Sequence, residues 1–173
     1  MEAFDALVER YRRGIYRLAF AMTQDHEVAD DLSQEVFVQL FRRIRQLRSP
    51  ESVGAWLRRI LVNLCIKHSR RVRHVSIEDE GANPEPITTD TPFVAAEKSM
   101  VRDRVRQAIL ELDPRERAVV LLYYIEGLKQ VEIADVLGRP VGTVWSRLSS
   151  ARGKLRVRLA DVIAGTRDGV EKA

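Results

Sequence analysis

The chain has 173 residues, 45% of them hydrophobic, with 29 Lys and Arg against 25 Asp and Glu, a net charge of +4. This length is short for a large enzyme and suits one ordinary domain or two small ones, and so mild a basic excess makes the position of the charges more telling than their sum. The lone cysteine, Cys65, excludes an internal disulfide and a cysteine-rich zinc cage, while the lack of a signal-peptide pattern or a run of roughly 20 apolar residues points to a cytoplasmic protein.

The first block, residues 1–74, opens on a helix whose apolar face is Phe4, Leu7, Val8, Tyr11, Ile15, Leu18, Ala19 and Met22. Gly14 interrupts that face at a modest propensity cost, which buried packing would outweigh. Asp25 is placed to cap the next helix, with Val28, Ala29, Leu32, Val36, Phe37, Leu40, Phe41, Ile44 and Leu47 turned inward. Acids crowd its first half (Asp25, Glu27, Asp30, Asp31, Glu35) and arginines its end (Arg42, Arg43, Arg45), an order that suits the helix dipole. "RSPES" stops it, with Ser49 capping a third helix and Pro50 in its first turn. Trp56, Leu57, Ile60, Leu61 and Leu64 turn inward on that helix, and no acid occurs from Arg58 to His74.

Residues 75–94 differ in composition. Six acids face the single base Lys98 between Val75 and Met100, and Pro84, Pro86, Pro92 and Gly81 oppose regular structure, so the segment reads as a flexible acidic linker. The second block, residues 95–160, begins with a helix marked by Val101, Val105, Ile109 and Leu112. Asp113 caps the next, with Pro114 in its first position and Glu116 completing a capping-box arrangement. Ala118, Val119, Leu121, Leu122 and Ile125 follow, and Gly127 closes it; residues 161–173 form a tail without an assigned role. The expected fold class is all-α: two small helical domains joined by a flexible acidic linker.

Within "VEIADVLGRPVGTVWSRLSSARGKLRVR", Ala134, Gly138 and Val144 have the spacing of a helix-turn-helix. A small residue lets two helices cross, a glycine makes the turn, and an apolar residue fills the core shared with Ile133, Val136, Leu137 and Leu148. Thr143 lies near the start of the second helix, and Trp145, Ser146, Arg147, Ser149, Ser150 and Arg152 point outward. Serine can bond to several base edges in the major groove and arginine can reach guanine or phosphate. Six bases and no acid from Arg139 to Arg158 supply phosphate attraction, with Arg152, Lys154 and Arg156 in the later turns that leave the groove. The plain alternative is a helical hairpin with a solvated basic face.

Two surfaces of the first block need explaining. Asp31, Gln34 and Glu35 share one surface on adjacent turns, either to bind a partner or simply to face water. Arg58, Arg59, Asn63, Lys67, Arg70 and Arg71 run along one side of the third helix, where Asn63 can bond to a base edge while the cations track phosphates. Trp56 reads as core, with a base-holding role beside Asn63 as the alternative. Cys65, His68 and His74 make an incomplete ligand set along one basic helix, so no metal is expected. There is no Gly-rich phosphate loop, nucleophile–base pair or catalytic carboxylate pair, so no cofactor, small-molecule substrate or enzymatic activity is expected.

The segments "YRLAFAMTQDHEVADDLSQEVFVQLFRRI", "AWLRRILVNLCIKHSRR" and "LDPRERAVVLLYYIEGLKQVEIADVLGRPVGTVWSRLSSAR" together resemble bacterial sigma factors of the sigma-70 family, in the compact extracytoplasmic-function (ECF) group that keeps only regions 2 and 4. The resemblance covers nearly the whole chain apart from the linker and tail. It implies that Asp31, Gln34 and Glu35 dock on the clamp helices of the RNA polymerase β′ subunit. It implies that the basic helix with Asn63 captures the melted minus-ten strand, that the loop "RQLRSPESVG" receives a flipped-out base, and that the helix-turn-helix reads the duplex minus-thirty-five element. It further implies contact with the β flap, a linker threading toward the RNA exit path, and an anti-sigma factor that clamps the two blocks until a stress or other signal releases it.

Lys67 stands where many relatives have aspartate, and Trp145, Ser149 and Ser150 where relatives often place arginine or another polar residue, so the promoter sequence does not carry over. The competing reading is a stand-alone helix-turn-helix regulator of duplex DNA. Such a protein would have no use for the Asp31–Glu35 surface or a strand-reading helix.

Overall fold

The structure is a computed structural model in which residues 2–44, 53–76, 94–162 and 164 are described. Among these residues there are seven helices and no strand: α1 (Glu2–Thr23), α2 (His26–Arg43), α3 (Val53–Ser76), α4 (Val94–Leu110), α5 (Pro114–Tyr124), α6 (Gln130–Leu137) and α7 (Val141–Arg158). The Ser49 cap, the base-receiving loop before Val53, the linker between Ser76 and Val94 and the tail after Ala164 lie outside the described residues.

Local chemistry sets the first turns. Gln24 adopts a left-handed φ of 55° and ends α1. Its amide donates to Phe20 O at 2.7 Å, and the Asp25 carboxylate then accepts from Val28 N at 3.0 Å to cap α2. Ile15, Leu18, Ala19 and Met22 of α1 meet Ala29, Val36 and Leu40 of α2 and Leu57, Leu61, Val62 and Cys65 of α3 in a buried core. A fully buried leucine there contributes about 1.5–3 kcal/mol. Buried Ser33 satisfies its hydroxyl locally by donating to Ala29 O at 2.6 Å.

Three expectations about the first block change. Phe41 is 62% exposed and meets Phe4 edge-on at 5.3 Å, on a side of α2 turned away from the buried Val36 and Leu40. On α3 the buried stripe runs through Val53, Leu57, Leu61, Val62 and Cys65, while Trp56, Ile60 and Leu64 are half-buried against it. Packing does not require glycine at position 14, where an added Cβ meets nothing within 4 Å. It constrains position 54 instead, where a Cβ would lie 3.2 Å from Tyr11 Cε1 and 3.1 Å from Arg58 Nη1.

In the second block Asp113 caps α5 by accepting from Arg115 N at 2.9 Å, with Pro114 in the first turn as expected. Residues Ala118 to Leu122 are all buried, so α5 is apolar around its whole circumference rather than along one stripe. Such a helix must be enclosed on all sides. α4, α6 and α7 cover part of it, and α1 and α3 of the first block cover the rest. The core is therefore continuous across the two blocks, and α6 also packs on α3.

Arg117 fastens this junction. It is 7% exposed and donates through Nη1 to Met22 O at 2.6 Å, through Nε to Ile109 O at 3.2 Å, and through Nη2 to Leu110 O and Leu112 O. Carbonyls at the C-terminal ends of α1 and α4 lack intrahelical partners and carry partial negative charge, so one guanidinium serves both ends. Beside it Cys65 is fully buried, and that burial pushes its thiol pKa up to about 12.

Candidate nucleic-acid interface

The helix-turn-helix is α6–α7. Lys129 N donates to Glu132 Oε2 at 2.7 Å at the start of α6. Gly138 ends that helix at φ 60°, a conformation that favours glycine, and Arg139 N returns to Ala134 O at 3.0 Å. Ile133, Ala134 and Val136 then meet Val144, Leu148 and Ala151 in the buried crossing.

The outward residues of α7 divide among four settings. Trp145, Ser146 and Ser149 are exposed on the side away from the core, together with Gly142 and Gly153, where an added Cβ meets nothing within 4 Å. Ser146 Oγ donates to the carbonyl of half-buried Thr143 at 3.0 Å. Ser150 and Lys154 turn toward α5 instead, where Ser150 Oγ donates to Glu116 Oε1 at 2.7 Å and Lys154 Nζ donates to both carboxylate oxygens at 2.8 Å. Burial alone would raise the pKa of Glu116, but the bonds and charge of Lys154 and the bond from Ser150 outweigh it and hold the carboxyl below the usual glutamate range, with a smaller part from the Asp113 backbone. Arg152 leans onto two aromatic rings, with Nε 2.9 Å from Tyr124 Oη and its guanidinium 5.2 Å from the Tyr123 ring centre.

Arg147 belongs to a different surface. It is half-buried at a cleft of about 360 Å³ between α3 and the second block. Asn63, Lys67, Arg70 and Arg71 come from α3, Arg115, Arg139 and Arg147 come from the other side, and Val62, Ile66 and Leu137 form an apolar floor. Desolvation, followed by repulsion from Arg115 and Arg139, lowers the pKa of Arg147 against the weaker opposing pull of Asp113 and Glu116.

Arg58 and Arg59 leave the row they share with Asn63. Arg58 Nε donates to Glu126 Oε2 at 2.9 Å, with the Glu126 side chain only 9% exposed. Arg59 caps the end of α6, donating to Val136 O at 2.9 Å and to Asp135 O. A cation at a helix C-terminus is worth about 0.3–1 kcal/mol, and up to about 2 when partly buried. Thus the structure gathers Asn63, Lys67, Arg70, Arg71 and Arg147 around one cleft and turns Arg58 and Arg59 into fasteners between the blocks. Reading for motifs overlooked Arg115, considered only as part of a helix start. Arg139, the first base after the Gly138 turn, was counted only among the six bases that attract phosphate, not as part of this cleft.

On α2, Asp31 and Gln34 are exposed and Glu35 is half-buried. Gln34 Nε2 donates to Asp30 Oδ2 at 2.8 Å and Gln39 Nε2 to Glu35 Oε1 at 2.9 Å, which orders the surface from within the helix. Val38, 41% exposed and four residues beyond Gln34, extends this face with an apolar side chain; the i, i+4, i+7 spacing from Asp31 carried that signal in the sequence.

The chain matches the family profile for sigma-70 region 2 over residues 7–75 and that for sigma-70 region 4 over residues 102–155. It is 34% identical over 162 residues to the ECF RNA polymerase sigma factor SigE of Mycolicibacterium smegmatis, covering 92% of this chain and 63% of that protein. It is 32% identical over 170 residues to the ECF RNA polymerase sigma factor SigW of Bacillus subtilis, covering 93% and 91% of the two chains. Among solved structures it is similar to CnrH in complex with the cytosolic domain of CnrY, at 27% identity and a TM-score of 0.65 over 92% of this chain and 89% of that one. It shares its fold with the sigma factor RpoE in complex with the anti-sigma factor NepR from Bartonella quintana, at 21% identity and a TM-score of 0.73 over 92% and 98%. The two profiles fall on α1–α3 and on α4–α7, the two blocks whose acidic, basic and helix-turn-helix surfaces are described above. The chain belongs to the sigma-70 family of RNA polymerase sigma factors, in its extracytoplasmic-function group.

Proposed function

We propose that this chain is an alternative sigma factor that joins core RNA polymerase, recognises promoter minus-ten and minus-thirty-five elements and directs DNA-templated initiation. The observation that carries this reading is the succession, in one chain, of an acidic helix face, a basic helix bearing Asn63 and a helix-turn-helix, on segments that match regions 2 and 4. Asp31, Gln34 and Glu35 hold the polymerase. Asn63, Lys67, Arg70 and Arg71 engage the melted strand, joined by Arg58 and Arg59 once these are released from the second block. Ser146 and Ser149 read base edges from the open side of α7, with Thr143 and Trp145 beside them and Arg147 holding phosphate.

The functional units are residues 1–74 and 95–160, with the linker 75–94 between them. The protein acts by binding, without chemistry of its own, in the cytoplasm where the template lies. An anti-sigma factor restrains it, a reading supported by the similar chains solved with NepR and CnrY. The two promoter elements are separated by about 25 base pairs, roughly 85 Å of duplex at 3.4 Å per step. Blocks packed as α3 is on α6 cannot reach both, so engagement requires them to part.

The test is the double variant Asp31→Lys, Glu35→Lys. Asp31 is exposed, and the half-buried Glu35 accepts from Gln39 of its own helix, a surface contact worth about 1 kcal/mol, so the fold is expected to persist, with circular dichroism as the check. Assembly with core polymerase and run-off transcription are expected to disappear. A folded double variant that still binds core polymerase like the parent overturns the assignment, and a parent that shifts duplex promoter DNA without core polymerase would favour a stand-alone regulator.

A further inference from the structure

The cleft between α3 and the second block collects cations from both sides. Lys67, Arg70 and Arg71 face Arg115, Arg139 and Arg147 around about 360 Å³, and among the described residues no carboxylate lines it. None of these six is in an ion pair among the described residues, and the pull of Asp113 and Glu116 on Arg147 is outweighed by desolvation and by repulsion from Arg115 and Arg139. Packing the blocks together therefore concentrates like charge, which is unfavourable until a counter-charge enters.

We propose that this cleft binds a compact chain of phosphates, free or carried by a nucleotide, and that such a ligand favours the closed arrangement of the two blocks. Arginine matches phosphate with paired, planar donors, and here the arginines converge from two elements rather than lying along one exposed face. The apolar floor of Val62, Ile66 and Leu137 and the Asn63 amide offer a nucleobase a surface and an edge to bond, so the volume accommodates more than phosphate alone. Because the cations belong to two separable blocks, the site is complete only when the blocks are together. A ligand that binds only the closed form shifts the population toward it. Occupancy also keeps Asn63 and Lys67 facing the second block. The site depends on the closed packing and not on promoter reading, so the two readings fail independently.

The experiment is titration calorimetry on the full chain at physiological salt, with inorganic triphosphate in one arm and ATP in the other. One variant is Arg115→Ala, Arg139→Ala, which removes two cleft cations contributed by the second block and leaves Asn63, Lys67, Arg70 and Arg71 in place. The control is Arg102→Ala, Arg106→Ala on α4, equal in charge loss and away from the cleft. Saturable binding at one site is expected, weakened by at least about tenfold in the cleft variant and by less than about twofold in the control. Tighter binding of ATP than of triphosphate supports a nucleotide, and equal binding supports phosphate alone. No saturable binding by the parent, undiminished binding by the cleft variant, or equal losses in both variants would overturn the proposal, the last by exposing a general polyelectrolyte effect. Melting curves and circular dichroism matching the parent verify that both variants are folded.

Discussion

Replacing Arg117 with methionine keeps most of the side-chain length and removes the guanidinium. Four carbonyl acceptors, from Met22, Ile109, Leu110 and Leu112, then lose a charged donor at a site 7% exposed. A bond to a charged group is worth about 1.5–3 kcal/mol, and a buried acceptor left alone costs about 1–3. The bond to Met22 O at 2.6 Å is the best formed, while those to Ile109 O and Leu112 O, at 3.2 and 3.3 Å, are weaker. Against this, the parent has already spent desolvation energy on the charge, and methionine recovers that. The balance is a loss of about 2–4 kcal/mol, out of a total stability of about 5–15 for a protein of this kind. Only Met22 lies in the first block, so its loss also loosens the coupling between blocks. Urea unfolding reads both effects, because Trp56 reports on the first block and Trp145 on the second. The Trp145→Phe and Trp56→Phe backgrounds isolate each signal. With a slope of about 2 kcal/mol per molar, the midpoint falls by about 1–2 M in Arg117→Met, and the two probes, coincident in the parent, separate. A midpoint within about 0.3 M of the parent, with probes still coincident, refutes the assignment of Arg117 as the junction's fastener.

Three further outcomes are expected. Glu116 has a folded pKa below its unfolded value of about 4.3, so its contribution is fully present above that value and lost as pH falls through the folded one. The stability difference between the parent and Glu116→Gln, measured by thermal melts from pH 7 to 3, therefore closes on acidification, and a constant difference counts against the Lys154–Glu116 link. Arg59→Ala removes the cap on the C-terminal end of α6 and shifts the balance toward separated blocks by about three- to tenfold, seen as a larger radius of gyration in solution scattering; an unchanged radius contradicts this. Ser146→Ala or Ser149→Ala relaxes base preference at one minus-thirty-five position by about 1–3 kcal/mol in holoenzyme binding to a promoter library, whereas Ser150→Ala and Lys154→Ala lower the melting temperature and leave every preference in place. A base preference altered by Ser150→Ala would reverse that division of α7.

The elements and their ends were readable because they depend on near neighbours in sequence. Asp25 and Asp113 cap as expected, and Gly138 turns the chain where the helix-turn-helix spacing requires it. The sharing of faces was not readable. Helical periodicity says which side chains avoid a helix's own core, but not which of those meet a helix from elsewhere. Ser150 and Lys154 look as outward as Ser149 until Glu116, 34 and 38 residues away, draws them toward α5. Arg59 resembles Asn63 until the carbonyls of α6, 76 and 77 residues away, claim it. A stronger hint lay in α5, whose uniform run from Ala118 to Leu122 demands more cover than its own block supplies. The family resemblance supplied roles for the acidic and basic faces, yet it could not reveal that the two blocks share one core.

Cys65 is the one thiol in this sequence, and it is fully buried, with a pKa of about 12. At neutral pH almost none of it is thiolate, the form that attacks peroxides, disulfides and maleimides. A cell's oxidants therefore find no reactive thiolate on this chain while it is folded. The same inertness gives the bench chemist a silent background. A cysteine introduced on each block can carry a fluorophore without removing the native residue, and any labelling of Cys65 itself becomes a clock for the opening of the core.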